Sequence, residues 1–351
     1  LHIRGERINV PIAIASLFRP GGRFDAYIDG YIACTRPRLI VTLIDNNARF
    51  YSLAARHPDT VFMFVQGSLR GPELFLELAR AKNSRVDLKV DRMLTFGNGI
   101  AAEYAKYVNG SPIAVGSPFN NAIPRRRKTT PGTIAFVSQF RDIPGMVYGG
   151  RYRDRRELYE ETDKMILAFL VAYTHRHRKR LLIVPSLDSS RNAGLRQREE
   201  SYYNSLLATR FEFSGWHWRG SSYDAVDVAE VVVGIDSTLV YESAARGNKT
   251  AIFSIRSAML DLPGRTYGWP AALPDNGPYW TNCPDPAIFE RIMDHLFAID
   301  EEQWGRELAE HGFFSVLAYD PGNTRLRTAI AEVLDSGSMR SGAAYGAKLI
   351  N

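Results

Sequence analysis

The chain alternates apolar runs of strand length with helix-period stretches, and it runs through that pattern twice. In the first half the strand-like runs are residues 11–16, 39–44, 61–65, 92–96 and 113–115, with helical stretches at 48–56, 72–81 and 99–108. The second half places strands at 133–137, 181–184, 230–235 and 250–253, and helices at 156–175, 199–209 and 239–246. Helices at 286–299, 301–311 and 324–334 close the chain. Strands alternating with helices require crossover connections and give parallel sheets. The 351 residues suffice for two such α/β domains, whose strand ends would face each other across a cleft.

Residues 120–133 break the pattern with Pro124, Pro131 and the basic run Arg125, Arg126, Arg127, Lys128. The expected division is a first domain over 1–124, a linker over 125–132 and a second domain over 133–335. The small, polar residues 336–351 read as a tail or linker. The chain opens on Leu1 rather than methionine, as expected of an excised piece of a longer polypeptide.

No apolar run has the length of a membrane-spanning helix, and the N-terminus lacks the order of a signal peptide. Cys34 and Cys283 stand far apart without metal-ligand spacing, which suits reduced thiols in a cytoplasmic protein. The net charge of +6 is concentrated in the run at 125–128, in Arg151, Arg153, Arg155 and Arg156, and in residues 175–180. Such blocks suit phosphates, acidic sugars or an anionic membrane surface; solvated surface is the competing reading. No nucleic-acid motif accompanies them.

The sharpest motif is Val231-Val-Val-Gly-Ile-Asp236-Ser237-Thr238-Leu-Val-Tyr241-Glu242. A buried strand ends in an acid, and two hydroxyls open a helix whose N-terminus suits a phosphate or carboxylate. Glu242, a turn further on, is placed to receive ribose hydroxyls. Plain capping by Asp, Ser and Thr is the alternative. Ser138, Gln139 and Arg141 end the strand at 133–137 and suit a nucleotide and its phosphate, or a polar turn. Pro185 and Ser186 end the next strand, ahead of Asp188, Glu199, Glu200, Tyr202 and Tyr203. In the first half Asp45, Asn46 and Asn47, and then Gln66 and Arg70, follow strands and suit sugar hydroxyls; an Asn/Asp cap competes. Tyr267, Trp269 and Trp280 lie on a Gly/Pro-rich loop and suit stacking on a sugar, or a plugged core. Gly97-Asn-Gly99-Ile-Ala-Ala102 has the dinucleotide spacing but lacks the acidic residue that receives a ribose. Neither a Walker A sequence nor a metal-ligand cluster occurs, so no metal and no cofactor are expected.

The segments Phe136-Val-Ser-Gln-Phe-Arg141, Gly234-Ile-Asp-Ser-Thr-Leu-Val-Tyr-Glu-Ser-Ala-Ala-Arg-Gly247, Tyr267-Gly-Trp-Pro270 and Gly277-Pro-Tyr-Trp-Thr-Asn282 resemble bacterial surface-carbohydrate biosynthesis proteins similar to the retaining β-Kdo transferases. Ile44-Asp-Asn-Asn47 fits the same group. The resemblance implies a GT-B fold of two Rossmann-like domains, with cytidine monophosphate on the second and the acceptor glycan on the first. It implies metal-independent transfer of Kdo, or a related acidic sugar, from a CMP-linked donor to a surface-polysaccharide or lipid-linked acceptor. Asp236 would be the nucleophile of a double displacement, with Ser237 and Thr238 holding phosphate or sugar carboxylate. Family members use a His in the loop after this helix. Here no His lies between His217 and His295, and Trp269 occupies the comparable region. Glu200 and Glu160 then become the candidates for acid–base work. The competing functions are a GT-B transferase or epimerase using a UDP- or GDP-sugar, and a non-catalytic glycan-binding module of a larger synthase. The expected location is the cytoplasm, at the inner face of the inner membrane.

Overall fold

The computed structural model describes residues 8–18, 22–126, 129–140, 156–186, 192–207, 211–215 and 221–346, of which 156–159 and 336–346 as backbone only. The chain forms two compact units, Leu1–Val115 with Asn323–Asn351, and Gly116–Gly322.

The first unit begins with helices α1 (Val10–Ser16) and α2 (Arg23–Thr35). It continues through β1 (Leu39–Thr42), α3 (Ala48–Arg56), β2 (Val61–Val65), α4 (Pro72–Asn83), β3 (Lys89–Thr95), α5 (Asn98–Ala105) and β4 (Asn109–Ala114). The four strands are parallel and lie in the order β1-β2-β3-β4. Successive side chains of a strand point to opposite faces, and β2 uses both. Phe62 and Phe64 meet Phe50 and Tyr51 of α3, and Tyr104 of α5. Met63 and Val65 face the other way, and with Leu94 and Val115 they pack against a helix from the far end of the sequence.

The second unit holds α6 (Pro118–Ala122), β5 (Thr130–Val137), α7 (Arg156–Arg176), β6 (Arg180–Val184), α8 (Ala193–Leu206), β7 (Glu212–Phe213), α9 (Ser221–Val228), β8 (Ala229–Gly234) and α10 (Thr238–Ala245). β9 (Thr250–Phe253), α11 (Arg256–Met259), β10 (Trp280–Thr281), α12 (Pro286–Ala298), α13 (Glu301–Glu310) and α14 (Phe313–Val316) follow. Its strands are all parallel, in the order β10-β9-β8-β5-β6-β7. The chain builds outward from β5 through β6 and β7, then restarts on the other side of β5 with β8. The boundary between β5 and β8 is therefore the topological switch point, where open α/β sheets receive ligands beyond their carboxyl ends.

Four expectations change. Residues 11–16 form α1, not a strand: Asn9 accepts the Ile12 N–H at 3.2 Å and a proline occupies the first turn, a helix-start arrangement. Residues 23–35, unassigned from sequence, form α2. Residues 116–124, expected at the end of the first domain, and Arg125 and Arg126 of the expected linker belong to the second unit. Arg246, fully buried, donates to Asp227 through two 2.8 Å bonds and to Asn120 Oδ1 at 2.9 Å. Asp320 N–H donates to Asn121 Oδ1 at 3.0 Å. Gly116, at φ 72°, passes so close to the Ala318 carbonyl that a Cβ would collide with it. β5 itself starts at Thr130, inside the expected linker. Finally, the closing helix, α15 (Thr324–Gly346), is part of the first unit and runs through most of the expected tail. Its apolar residues Leu326, Ala329, Ile330 and Val333 recur at helical period and cover Met63, Val65, Leu94 and Val115.

Candidate functional site

Four adjacent strands of the second unit, β9-β8-β5-β6, end at one edge, and the residues that follow them are joined by hydrogen bonds. The centre is Arg256, buried at the start of α11. Its guanidinium donates to Asp236 Oδ1 at 2.8 Å, Gln139 Oε1 at 2.5 Å, Asp163 Oδ1 at 3.0 Å and Thr162 Oγ1 at 3.2 Å. Arg265 donates to the second oxygen of Asp236 at 2.9 Å; its side chain is 42% exposed against 7% for Asp236. Tyr202 OH donates to Asp163 Oδ2 at 2.9 Å.

Burial raises the proton affinity of the Asp236 carboxyl, but Arg256, then Arg265, and a hydrogen bond from Gln139 overcome it and hold the group below the usual carboxylate value. For Asp163 burial wins over Arg256 and Tyr202, and the group sits above that value, with Asp236 adding repulsion. The two carboxylates that share Arg256 are thus shifted in opposite directions.

Beside this cluster lies a second. Glu199, fully buried on α8, accepts from the Ser138 hydroxyl and from the Ser186 N–H at 3.0 Å and hydroxyl at 3.3 Å. Tyr203 OH donates to Ser138 Oγ at 2.8 Å. Ser138 and Ser186 therefore tie the ends of β5 and β6 to α8, while Pro185 is buried between β6 and Ser186. Arg141 and Asp188 fall outside the described residues.

Ser237 occupies the N-cap of α10, yet its side chain makes no cap hydrogen bond; Ser237 and Thr238 are both half-buried. Tyr241 is buried and stacks with Tyr267 at 6.0 Å between centroids. Glu242 is buried away from the Asp236 cluster's bonds: it accepts from the Ser117 hydroxyl and from Tyr223 OH at 2.9 Å. Burial pushes its carboxyl up, against the opposing effects of Ser117, Tyr223 and Arg246. Of the acid–base candidates, Glu200 is in an exposed ion pair with Arg196 at 3.1 Å. Glu160 is half-buried and near enough to Tyr202 to raise its proton affinity, after burial and Asp163.

Tyr267 and Trp280 are buried and stacked on one another at 4.7 Å, and Tyr267 OH meets Tyr279 OH at 2.8 Å. They are core rather than an open platform; Trp269 is half-buried. In the first unit Asp45 is fully buried. It accepts from Arg70 Nε at 2.7 Å and from Arg70 Nη2, from Tyr104 OH at 2.6 Å and from Gly67 N–H at 3.2 Å. Gln66 is buried and accepts the Phe96 N–H at 2.8 Å. Asn47 caps α3, accepting the Arg49 N–H at 3.1 Å, and Asn46 is exposed. Much of the basic charge is also paired: Arg125 with Glu301, Arg126 with Asp224, Arg176 with Glu290 and Arg180 with Glu212.

The sequence reading did not single out Asp163, Arg256 or Arg265. Arg256 had one available signal: it stands three residues after the buried strand β9, much as Asp236 and Gln139 stand two residues after β8 and β5. Among the described residues no group of three or more His, Cys, Asp or Glu is placed to hold a metal ion, and no helix is long and apolar enough to cross a membrane.

Parallel Rossmann-like sheets with strand-end clusters define an α/β protein of the GT-B fold class. The structure is similar to a "putative UDP-N-acetylglucosamine 2-epimerase" from Listeria monocytogenes, with a TM-score of 0.50, 10% identity, and coverage of 96% of this chain and 83% of that one. It is also similar to the Glycosylation Associate Protein (Gap123) complex from Streptococcus agalactiae (TM-score 0.47, 11% identity, 82% of this chain). The chain spans 54% of that protein's length. A Methanocaldococcus jannaschii UDP-GlcNAc 2-epimerase in complex with UDP-GlcNAc and UDP gives a TM-score of 0.47 at 8% identity, covering 89% of this chain and 80% of that one. Residues 63–333 match the family described as "putative O-antigen biosynthesis protein", and the chain belongs to that family. No curated protein matches the sequence.

Proposed function

We propose that the protein is a glycosyltransferase of O-antigen assembly, moving Kdo or a related acidic sugar from a CMP-linked donor to a glycan or lipid-linked acceptor without a metal or cofactor. The observation that carries this reading is the pairing of Asp236 with two arginines at the switch point, beside the start of α10. A CMP-linked acidic sugar brings a phosphate and a carboxylate. Arg265, half-exposed, and the first N–H groups of α10 are cationic partners of the right kind for either. When the donor takes up Arg265, Asp236 keeps Arg256 and Gln139, and its carboxylate gains nucleophilicity while staying ionised.

In the proposed double displacement Asp236 attacks the anomeric carbon and CMP departs. An acceptor hydroxyl then displaces Asp236 from the glycosyl–enzyme ester and gives up its proton to a base. Glu160, half-buried beside Tyr202, is the candidate for that base ahead of the exposed Glu200. The protein would act at the inner face of the inner membrane, on the cytoplasmic side. Incubation with CMP-β-Kdo should release CMP and add the mass of one sugar to the peptide carrying Asp236. Asp236→Asn should abolish the adduct and slow turnover about 10³-fold or more. Retained turnover in that variant would rule out the nucleophile.

The likeness of fold to the Listeria epimerase supports a second reading, in which the ligand is a UDP-sugar. A thermal-shift panel separates the two. CMP at about 100 times its Kd should stabilise the protein by about 2.7 kcal/mol, and UDP should do little. The reverse outcome favours the second reading.

A further inference from the structure

The N-terminal helix pair presents an apolar surface that the proposed chemistry leaves unused. Residues 8–18 read Ile-Asn-Val-Pro-Ile-Ala-Ile-Ala-Ser-Leu-Phe, with no charged side chain. α1 buries only Ile12 and Ser16. Ile8, Val10, Ile14, Leu17 and Phe18 remain exposed, Phe18 by 84%, and Phe24 of α2 joins them at 60%. Single exposed apolar residues are ordinary, but six large ones between residues 8 and 24 mark an interaction surface. The surface is anchored from beneath: Asn9 N–H donates to Tyr27 OH at 3.1 Å, and Ile12, Ala26 and Ile32 are buried.

Its charge setting selects the partner. Among the described residues up to Phe24 the one charged side chain is the exposed Arg23, at the start of α2, and no acid stands there. Arg49, exposed on α3, holds its guanidinium 6.0 Å from the Phe24 ring centre. Of the acids on α2, Asp25 is half-buried and Asp29 is taken up by Arg56 at 3.1 Å and His57 at 2.7 Å. An apolar patch beside arginines, with few acids, matches an anionic bilayer: the apolar side chains enter the acyl boundary while guanidinium groups stay at phosphate level. α1 has seven residues, too few to span.

We propose that α1 and the start of α2 form an interfacial element that lays the protein on an anionic lipid surface. This element does not depend on the donor or on any chemistry at Asp236.

The test is sedimentation of the intact chain with vesicles of phosphatidylglycerol and phosphatidylethanolamine, and with vesicles of phosphatidylcholine alone. Binding should favour the anionic vesicles and weaken with salt. The variant carrying Ile14→Glu and Leu17→Glu should bind about tenfold more weakly or worse. A second variant, with Arg23→Glu and Arg49→Glu, should lose a similar factor through charge alone. It keeps the test valid even if the first variant folds poorly. Three results would overturn the proposal: no sedimentation of the wild-type chain with anionic vesicles; binding that both variants retain; or a concentration-dependent dimer, seen in analytical ultracentrifugation, that the first variant dissolves.

Discussion

Asp236 and Asp163 are bonded to the same guanidinium yet shifted in opposite directions, and that difference can be measured. Asp236 is held below its ordinary value of 3.8. Its ion pairs therefore stabilise the fold fully above that pH and are lost as pH falls through the lowered value. Asp163 is raised above 3.8, so its contribution is complete below that pH and fades as pH rises through the raised value. Asp236→Asn should flatten the acid limb of the stability profile, and Asp163→Asn should remove the loss on the less acidic side. Urea midpoints taken from about pH 3 to 7 read both. Asp236→Asn should also cost about 2 kcal/mol near neutrality, because Arg256 keeps Asp163 as a partner. A larger penalty belongs to Asp45, whose carboxylate is the buried counter-ion of Arg70. Asp45→Ala strands that cation and should cost about 3–5 kcal/mol. A loss below about 1 kcal/mol in urea unfolding would mean that Arg70 finds solvent instead.

At the level of elements, legibility followed burial. Residues 61–65 and 250–253 are buried parallel strands, and their short apolar runs announced them. Residues 11–16 are just as apolar but form a helix, because a run this short carries no usable period and the Asn9 cap with Pro11 decides it. The strand-end placement of Gln139 and Asp236 was readable from the polar residues that terminate apolar strands. Arg256 offered only its position just past β9, since nothing local marks which arginine a fold will bury. Aromatic loop residues failed for a related reason: Trp and Tyr suit a sugar platform and a core equally, and only packing separates them. Here the packing is tight. The Trp280 ring lies against Gly277, where any Cβ would fall inside its van der Waals surface. Gly277→Ala should therefore displace Trp280 from its stack with Tyr267 and cost about 1–3 kcal/mol. Near-ultraviolet circular dichroism of the indole band, together with the melting temperature, would report it; an unchanged band would mean that the loop backbone gives way instead.

For the whole molecule, the main surprise is that the chain leaves the first unit at Val115 and returns to it at Asn323. The helical period of Leu326, Ala329, Ile330 and Val333 foretold an apolar face but could not say which sheet it would cover, because both halves of the sequence repeat one pattern. The ion pair between Arg92 and Glu332 at 3.1 Å and the bond from Arg325 to the Ala114 carbonyl at 3.1 Å are long-range and invisible to local reading. Truncation after Gly322 tests the assignment. It removes the cover from Met63, Val65, Leu94 and Val115 while leaving every described residue of the second unit in place. Amide exchange should accelerate in β2, β3 and β4 by a factor of about ten or more, and stay near its original rate in β5, β8 and β9. Acceleration confined to β8 and β9 would instead attach the helix to the second sheet, as the sequence pattern alone had suggested. The distinction bears on function, because the helix then supports the unit that carries Asp45 and Arg70, not the one that carries Asp236. Loss of the helix should accordingly leave nucleotide-induced stabilisation of the second unit intact.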